Sequence, residues 1–251
     1  MAGTITITFG DNVENHVGNQ QIGEIAECGI SFEKLKQLKK ELEKKYACKF
    51  INLKTLLDDE NKCEASDAGI LIVKNFINTF FESDSEDEKI FNELSELDWD
   101  KKAIMRGKVV NKKARYNLCF SDFTQEPNYE GGMGRIYDFK NLKKLLKIKN
   151  FLKTLLDEDL NAEGNYYYDT DTCYIGYHGD AERKIVVGIR FGENFPLYFK
   201  WFKNTEPITN AHKINLESGD LYIMSEKAVG FDWKKRTILT LRHAAGFNIP
   251  I

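Results

Sequence analysis

The sequence is poor in the features that most readily mark a function. Its five cysteines (Cys28, Cys48, Cys63, Cys119 and Cys173) are odd in number and scattered, with no CxxC pair. This excludes a disulfide framework and points to a reducing compartment. No apolar run approaches the roughly 18 residues of a membrane span, and no charged-apolar-small leader opens the chain. The expectation is an intracellular soluble protein, cytoplasmic or nuclear, with no membrane partner. Neither sign of charge dominates: 36 Lys and Arg stand against 39 Asp and Glu, a net charge of -3. Contact with nucleic acid would therefore need a local basic patch. Histidine is limited to four positions, His16, His178, His212 and His243. What is present is ample core material: 251 residues, 42% hydrophobic and 12% aromatic, with no internal repeat.

Thr4 to Thr8 alternates as a strand, and Gly10, Asp11 and Asn12 supply a turn. Phe32, Leu35, Leu38, Leu42 and Tyr46 recur at helical spacing behind a candidate cap, Ser31, with lysines and glutamates on the solvated face. Ala68 to Ile77 reads as a buried strand, and the acidic run Glu82 to Glu88 as a surface loop or helix start. Leu142 to Leu156 is a second amphipathic helix. From Asn165 onward short β segments follow one another at close spacing, the last being Arg236 to Arg242. Many short strands preceded by helices imply a sandwich or barrel with helices on its outer face.

Two elements can carry chemistry. In the last strand a period of two puts Arg236, Ile238, Thr240 and Arg242 on one face and Thr237, Leu239, Leu241 and His243 on the other. Apolar residues on both faces place this strand inside a sandwich, where a guanidinium must find an anion. Two arginines on one inward face suit a dicarboxylate or phosphate, or else salt bridges within the chain. The second element is His178-Gly179-Asp180. Residues at i and i+2 share a face of an extended segment, so an imidazole and a carboxylate can converge on one metal. The same tripeptide also serves as an ordinary turn.

Taken together, Asn165 to Tyr168, Ile175 to Glu182, Gly219 to Ser225 and the strand Arg236 to Arg242 resemble the AlkB-like family of iron- and 2-oxoglutarate-dependent dioxygenases. Order and approximate spacing match over roughly residues 105 to 246. The resemblance implies that His178 and Asp180 bind Fe(II) as catalytic ligands and that Arg236 pairs with the distal carboxylate of 2-oxoglutarate. It puts Arg242 near the other end of that cosubstrate and makes Asn165 and Tyr167 or Tyr168 its hydrogen-bond partners.

One ligand of that pattern has no counterpart. Where the family carries a second histidine, this chain reads Phe231-Asp232-Trp233-Lys234-Lys235. His16 lies in the N-terminal extension, His212 precedes the Gly219-Asp220 strand, and His243 faces away from Arg242, so the second histidine is expected to be missing. Asp232 is the better substitute on chemistry, because neutralising a lysine of pKa about 10.4 at pH 7 costs roughly 4–5 kcal/mol.

The resulting expectation is an α+β fold with a double-stranded β-helix (jelly-roll) core and flanking helices. Residues 1–100 form an N-terminal α/β extension and residues 101–251 the jelly-roll dioxygenase domain. The function implied is Fe(II)/2-oxoglutarate-dependent oxidation, in its finer form demethylation of alkylated nucleobases. The alternative is an inactive module of the same fold that holds a nucleotide, nucleic acid or other anion. Two basic strips, Lys234-Lys235-Arg236 and Lys108, Lys112, Lys113 and Arg115 beside Tyr116, are contact candidates or simply solvated faces.

Overall fold

Strand β1 (Thr4–Gly10) alternates Thr4, Thr6 and Thr8 with Ile5, Ile7 and Phe9, and all of these residues are buried. In the computed structural model, which describes residues 3–249, this strand is the middle of the molecule. After it come β2 (Asn12–Asn15), β3 (Gln20–Gly23), β4 (Ala47–Asn52), β5 (Gly69–Lys74), β6 (Lys102–Met105), β7 (Lys108–Asn111), β8 (Tyr116–Ser121) and β9 (Ile136–Asp138). The C-terminal half adds β10 (Asn161–Tyr167), β11 (Ile175–His178), β12 (Val187–Gly192), β13 (Leu197–Lys203), β14 (Glu206–Pro207), β15 (His212–Ile214), β16 (Leu221–Met224) and β17 (Thr240–Ala245). Six α-helices among the described residues join them: α1 (Phe32–Leu42), α2 (Asp59–Glu64), α3 (Phe76–Phe81), α4 (Glu86–Ser95), α5 (Lys143–Leu156) and α6 (Glu226–Val229).

Eight strands form one sheet in the order β4-β5-β16-β12-β1-β10-β8-β9, antiparallel except for β8 and β9. A smaller sheet runs β11-β17-β13-β14, with β15 also on β13. The two face each other as a jelly roll. Ile70, Ile72, Tyr222 and Met224 of the large sheet pack with Leu197, Phe199, Trp201 and Leu241 of the small one. The outer face of the large sheet presents Ile5, Ile7 and Phe9 to a second core with Leu35 and Leu38 of α1 and Leu145 and Ile148 of α5. Both helices follow the sequence pattern. Ser31 caps α1 by accepting a hydrogen bond from Lys34 N at 3.1 Å. The acidic run leads into α4 with Glu82, Asp84 and Glu88 exposed, while Glu86 and Asp87 are buried at the first turn. Asn78 Oδ1 accepts from both their backbone N–H groups, and Lys144 pairs with the Glu86 carboxylate at 2.7 Å. Burial of the Glu86 charge is thereby compensated.

Strand β1 pairs with β10 on one side and β12 on the other, with Thr6 opposite both Asn165 and Arg190. Strand β5 pairs with β16. The division expected at residue 100 therefore runs through a single sheet. A strand buried on both faces and bonded along both edges supplies roughly 1 kcal/mol or more per buried aliphatic side chain and closes two ladders. Deleting residues 1–10 is expected to abolish cooperative thermal unfolding, measured by circular dichroism. A truncated chain melting cooperatively near the full-length temperature would contradict this role.

Candidate metal centre

Strand β11 ends at His178, and the chain turns immediately through Gly179. A Cβ on Gly179 would lie 2.3 Å from the Gly230 carbonyl oxygen and 2.7 Å from Trp233 Cβ. Only glycine allows the approach, which is fixed by a hydrogen bond from Asp180 N to Val229 O at 3.0 Å. The turn brings Asp180 back over the strand beside its own neighbour, His178. His178 also pairs with His243 across β11 and β17. His178 Nε2 and His243 Nε2 lie 3.4 and 3.6 Å from Asp180 Oδ1, and the two imidazole centroids are 4.4 Å apart. The three ligand atoms fall within 4.8 Å of one another. Two imidazoles and one carboxylate in such a cluster are the donor set of a facial triad suited to ferrous iron. The nearby Gly176 carbonyl, 2.8 Å from His178 Nδ1, leaves Nε2 as the ligating nitrogen.

The cluster thus includes a second histidine, His243, where none was expected. The two-residue period held, but the face it assigned to the interior did not. Leu239, Leu241 and His243 take the inside of β17. Arg242 lies on the other face, its guanidinium 4.0 Å from the Phe202 ring centroid and 5.2 Å from that of Trp233. Arg236 precedes the strand and is exposed. Neither arginine lines the chamber beside the cluster. Asp232, the expected substitute ligand, accepts a hydrogen bond from Lys227 Nζ at 2.6 Å and stands outside the cluster.

The electrostatics suit a metal. Burial opposes the Asp180 charge, but Arg183, with Nε at 3.6 Å, and the two histidines outweigh it and hold this carboxyl well below the usual range. Burial, with the neighbouring His178, pulls His243 down to about 4. It is therefore a neutral imidazole at pH 7, the form that binds metal. Its folded pKa lies below the ordinary 6.5, so as pH falls the unfolded chain takes up a proton that the folded chain refuses. The metal-free protein is expected to lose on the order of 3 kcal/mol of stability from this group between pH 6.5 and 4. His16 does not cancel the effect. Burial opposes its charge, but Glu14 and Glu163 raise its pKa overall, and that contribution is complete below pH 6.5. Urea unfolding at pH 7, 5.5 and 4.5 checks this, and a flat profile would refute it.

Two joined chambers meet at His178 and Asp180. The larger, about 190 Å³, is walled by Glu14, His16, Arg115, Glu182, Arg183 and Trp233. The smaller, about 60 Å³, lies over the inner face of the large sheet against Thr6, Asn165, Tyr167, Arg190, Tyr222 and His243. Arg190 is 1% exposed. Its Nη1 donates to Thr6 Oγ1 at 2.5 Å, its Nε is buried without a partner, and no carboxylate stands within 4.0 Å among the described residues. Burial draws its pKa below the usual value. A buried cation without a counter-ion is costly, so the chamber is chemically incomplete until an anion enters it. The sequence argument for a buried guanidinium applies here, to an arginine it did not single out. The signal was a lone charge in the apolar run Ile185 to Phe191.

Tyr167 also lines this chamber, 3% exposed and 4.5 Å from the Phe195 ring. Asn165 lines it too, but its amide is occupied: Nδ2 donates to Glu163, and Oδ1 accepts from Arg115 and Asn117 at 2.7 and 2.8 Å. Tyr168 is turned away, donating to the Lys113 carbonyl.

A family model described as the 2OG-Fe(II) oxygenase superfamily matches residues 69–229, more than half of the chain. The matched segment contains His178, Asp180 and Arg190 and stops short of β17. An uncharacterized protein of Acanthamoeba polyphaga mimivirus is 44% identical over 245 residues, which are 97% of this chain and 95% of that one. The family implies Fe(II) and 2-oxoglutarate, and the described residues include no helix long and apolar enough to cross a membrane. Fold, donor set and family model agree, and the chain belongs to the 2OG-Fe(II) oxygenase superfamily.

Proposed function

We propose that this chain is an Fe(II)- and 2-oxoglutarate-dependent dioxygenase whose iron is held by His178, Asp180 and His243, with Arg190 receiving the distal carboxylate of 2-oxoglutarate. The observation that carries the reading is the counter-ion-free guanidinium of Arg190, buried in the same chamber as a two-histidine, one-carboxylate cluster. When bound, iron would couple decarboxylation of 2-oxoglutarate by O2, giving succinate and CO2, to insertion of one oxygen atom into a substrate C–H bond.

The chain's own residues prepare that chemistry. Arg183 bridges Asp180, Glu163 and Glu182, so it fixes the orientation of the carboxylate ligand and balances its charge. Thr6 on β1 aims the Arg190 guanidinium along the sheet. Tyr167 and Tyr222 offer hydroxyls beside it, and burial keeps the Tyr222 phenol protonated, with its pKa pushed up to about 12. The larger chamber leaves the opposite side of the cluster open for substrate. We also take the first hundred residues to be part of the catalytic domain, since β1 and β2 contribute Thr6, Thr8 and Glu14 to the chamber walls.

The resemblance to AlkB-like enzymes makes oxidative demethylation of an alkylated nucleobase the finer reading. The absent third ligand had favoured the inactive anion-binding alternative, and the position of His243 beside His178 and Asp180 supports the enzyme reading instead. The test is production of succinate from 2-oxoglutarate under Fe(II) and O2 by the wild type and by His178→Ala, followed by formaldehyde release from N-methylated oligonucleotides. No succinate from the iron-loaded wild type would overturn the oxygenase reading; succinate without formaldehyde would overturn only the finer one.

A further inference from the structure

A groove of about 500 Å³ lies between the β6–β7 hairpin and β8. Ala103, Met105 and Val110 give it an apolar wall, and Lys112, Lys113 and Arg115 line it together with no carboxylate. In a chain of net charge -3 that separation is local. Several buried or half-buried cations elsewhere are matched: Arg183 with Glu163, Arg135 with Glu126, and Lys149 with Asp122. Lys112 and Arg115 are not. Lys112 Nζ donates to the neutral Asn117 Oδ1 at 3.0 Å, and Arg115 Nε to the neutral Asn165 Oδ1 at 2.7 Å. Neither has a carboxylate within 4.0 Å among the described residues. The groove also joins the larger chamber, because His16 and Arg115 line both. A molecule lying in the groove therefore turns its Arg115 end toward the chamber that holds His178 and Asp180.

We propose that the substrate carries an anionic group, a carboxylate or a phosphate, held between Lys112 and Arg115, while its apolar part lies against Ala103, Met105 and Val110. This rests on the oxygenase reading and adds the substrate's chemical class and the residues that select it. Two neighbouring cations that repel each other and lack a counter-ion gain most from a ligand supplying the missing charge, and a forked guanidinium beside a point-charge ammonium suits an oxyanion. Lys112 is further primed by burial, which together with the Arg115 charge brings its pKa down to about 8 against the pull of Asp100; a bound oxyanion would restore its full charge. Met105, 63% exposed, and Val109, 41% exposed, leave apolar surface on the hairpin for that ligand to cover.

The experiment titrates octyl phosphate, octanoate and octyltrimethylammonium into the full chain loaded with Mn(II) and 2-oxoglutarate. Calorimetry follows the amphiphile, and electron paramagnetic resonance follows the metal. Binding of either anion in clear preference to the cation is expected, and the stronger of the two anions identifies the group. Lys112→Gln should weaken it about tenfold or more, the loss of one charge-assisted hydrogen bond. Lys112→Arg, which keeps the charge, should restore most of the affinity and controls for misfolding. Equal binding of cation and anions, or an unchanged affinity in Lys112→Gln, would overturn the proposal. Failure to bind Mn(II) while the anion preference persists would strike the oxygenase reading instead, so the two failures are distinguishable.

Discussion

His243→Ala is expected to lower Fe(II) or Mn(II) affinity by about 100-fold or more, because it removes one of three protein donors, where loss of a mere supporting partner already costs 10–100-fold. Asp232→Asn should leave metal affinity within a few-fold of wild type, since that carboxylate is engaged by Lys227 and stands outside the cluster. Equilibrium dialysis with metal analysis separates the two variants. The fold should survive both changes. His243 is 7% exposed and its neutral ring packs 6.1 Å from Phe199, so alanine leaves a small cavity rather than an unpaired charge. Equal metal loss in both variants, or loss in Asp232→Asn alone, would mean that β17 does not supply the third ligand.

Arg190→Met is expected to raise the KM for 2-oxoglutarate about 100-fold in the succinate assay, roughly 3 kcal/mol for two charge-assisted hydrogen bonds. The same change should leave the ligand-free protein as stable as wild type or more so, since it replaces a buried cation lacking a counter-ion by an apolar side chain of similar length. Opposite signs in the two measurements distinguish an anion receptor from a structural arginine. A structural arginine would lower the melting temperature and affect KM and kcat together. Arg236→Ala and Arg242→Ala should leave the KM for 2-oxoglutarate nearly unchanged, because neither side chain lines the chamber.

These contrasts mark what was legible in the sequence. The His178-Gly179-Asp180 corner could be read directly, because a period of two is a local property and the glycine signals a tight approach. Helices α1 and α5 were legible for the same reason: their apolar spacing and, for α1, the cap lie within one segment. Strand β17 was half legible. Alternation established that Arg242 and His243 face opposite ways, but which face turns inward depends on packing with β13 and on the chamber. There Leu239 and Leu241 gain more from burial than an arginine that can lay its guanidinium on Phe202 and Trp233.

Strand β1 was legible as a strand, but its place between β10 and β12 was not. Its partners are β10 and β12, more than 150 residues further along the chain, and no local pattern reports a pairing of that range. Its threonines are the trace of that position. Thr6 and Thr8 alternate with Ile5, Ile7 and Phe9 because one face meets a polar chamber and the other a helical layer. Arg190 became visible only once that sheet was assembled, since its significance lies in Thr6 beside it and in the carboxylate that is not there.

The most direct test of the account is an anaerobic crystal structure with Mn(II) and 2-oxoglutarate, the metal located by its anomalous scattering. The expected result is one metal bound by Nε2 of His178, Nε2 of His243 and a carboxylate oxygen of Asp180, with the distal carboxylate of 2-oxoglutarate on Arg190. A metal bound without His243, or a cosubstrate carboxylate on Arg236 or Arg242, would contradict it.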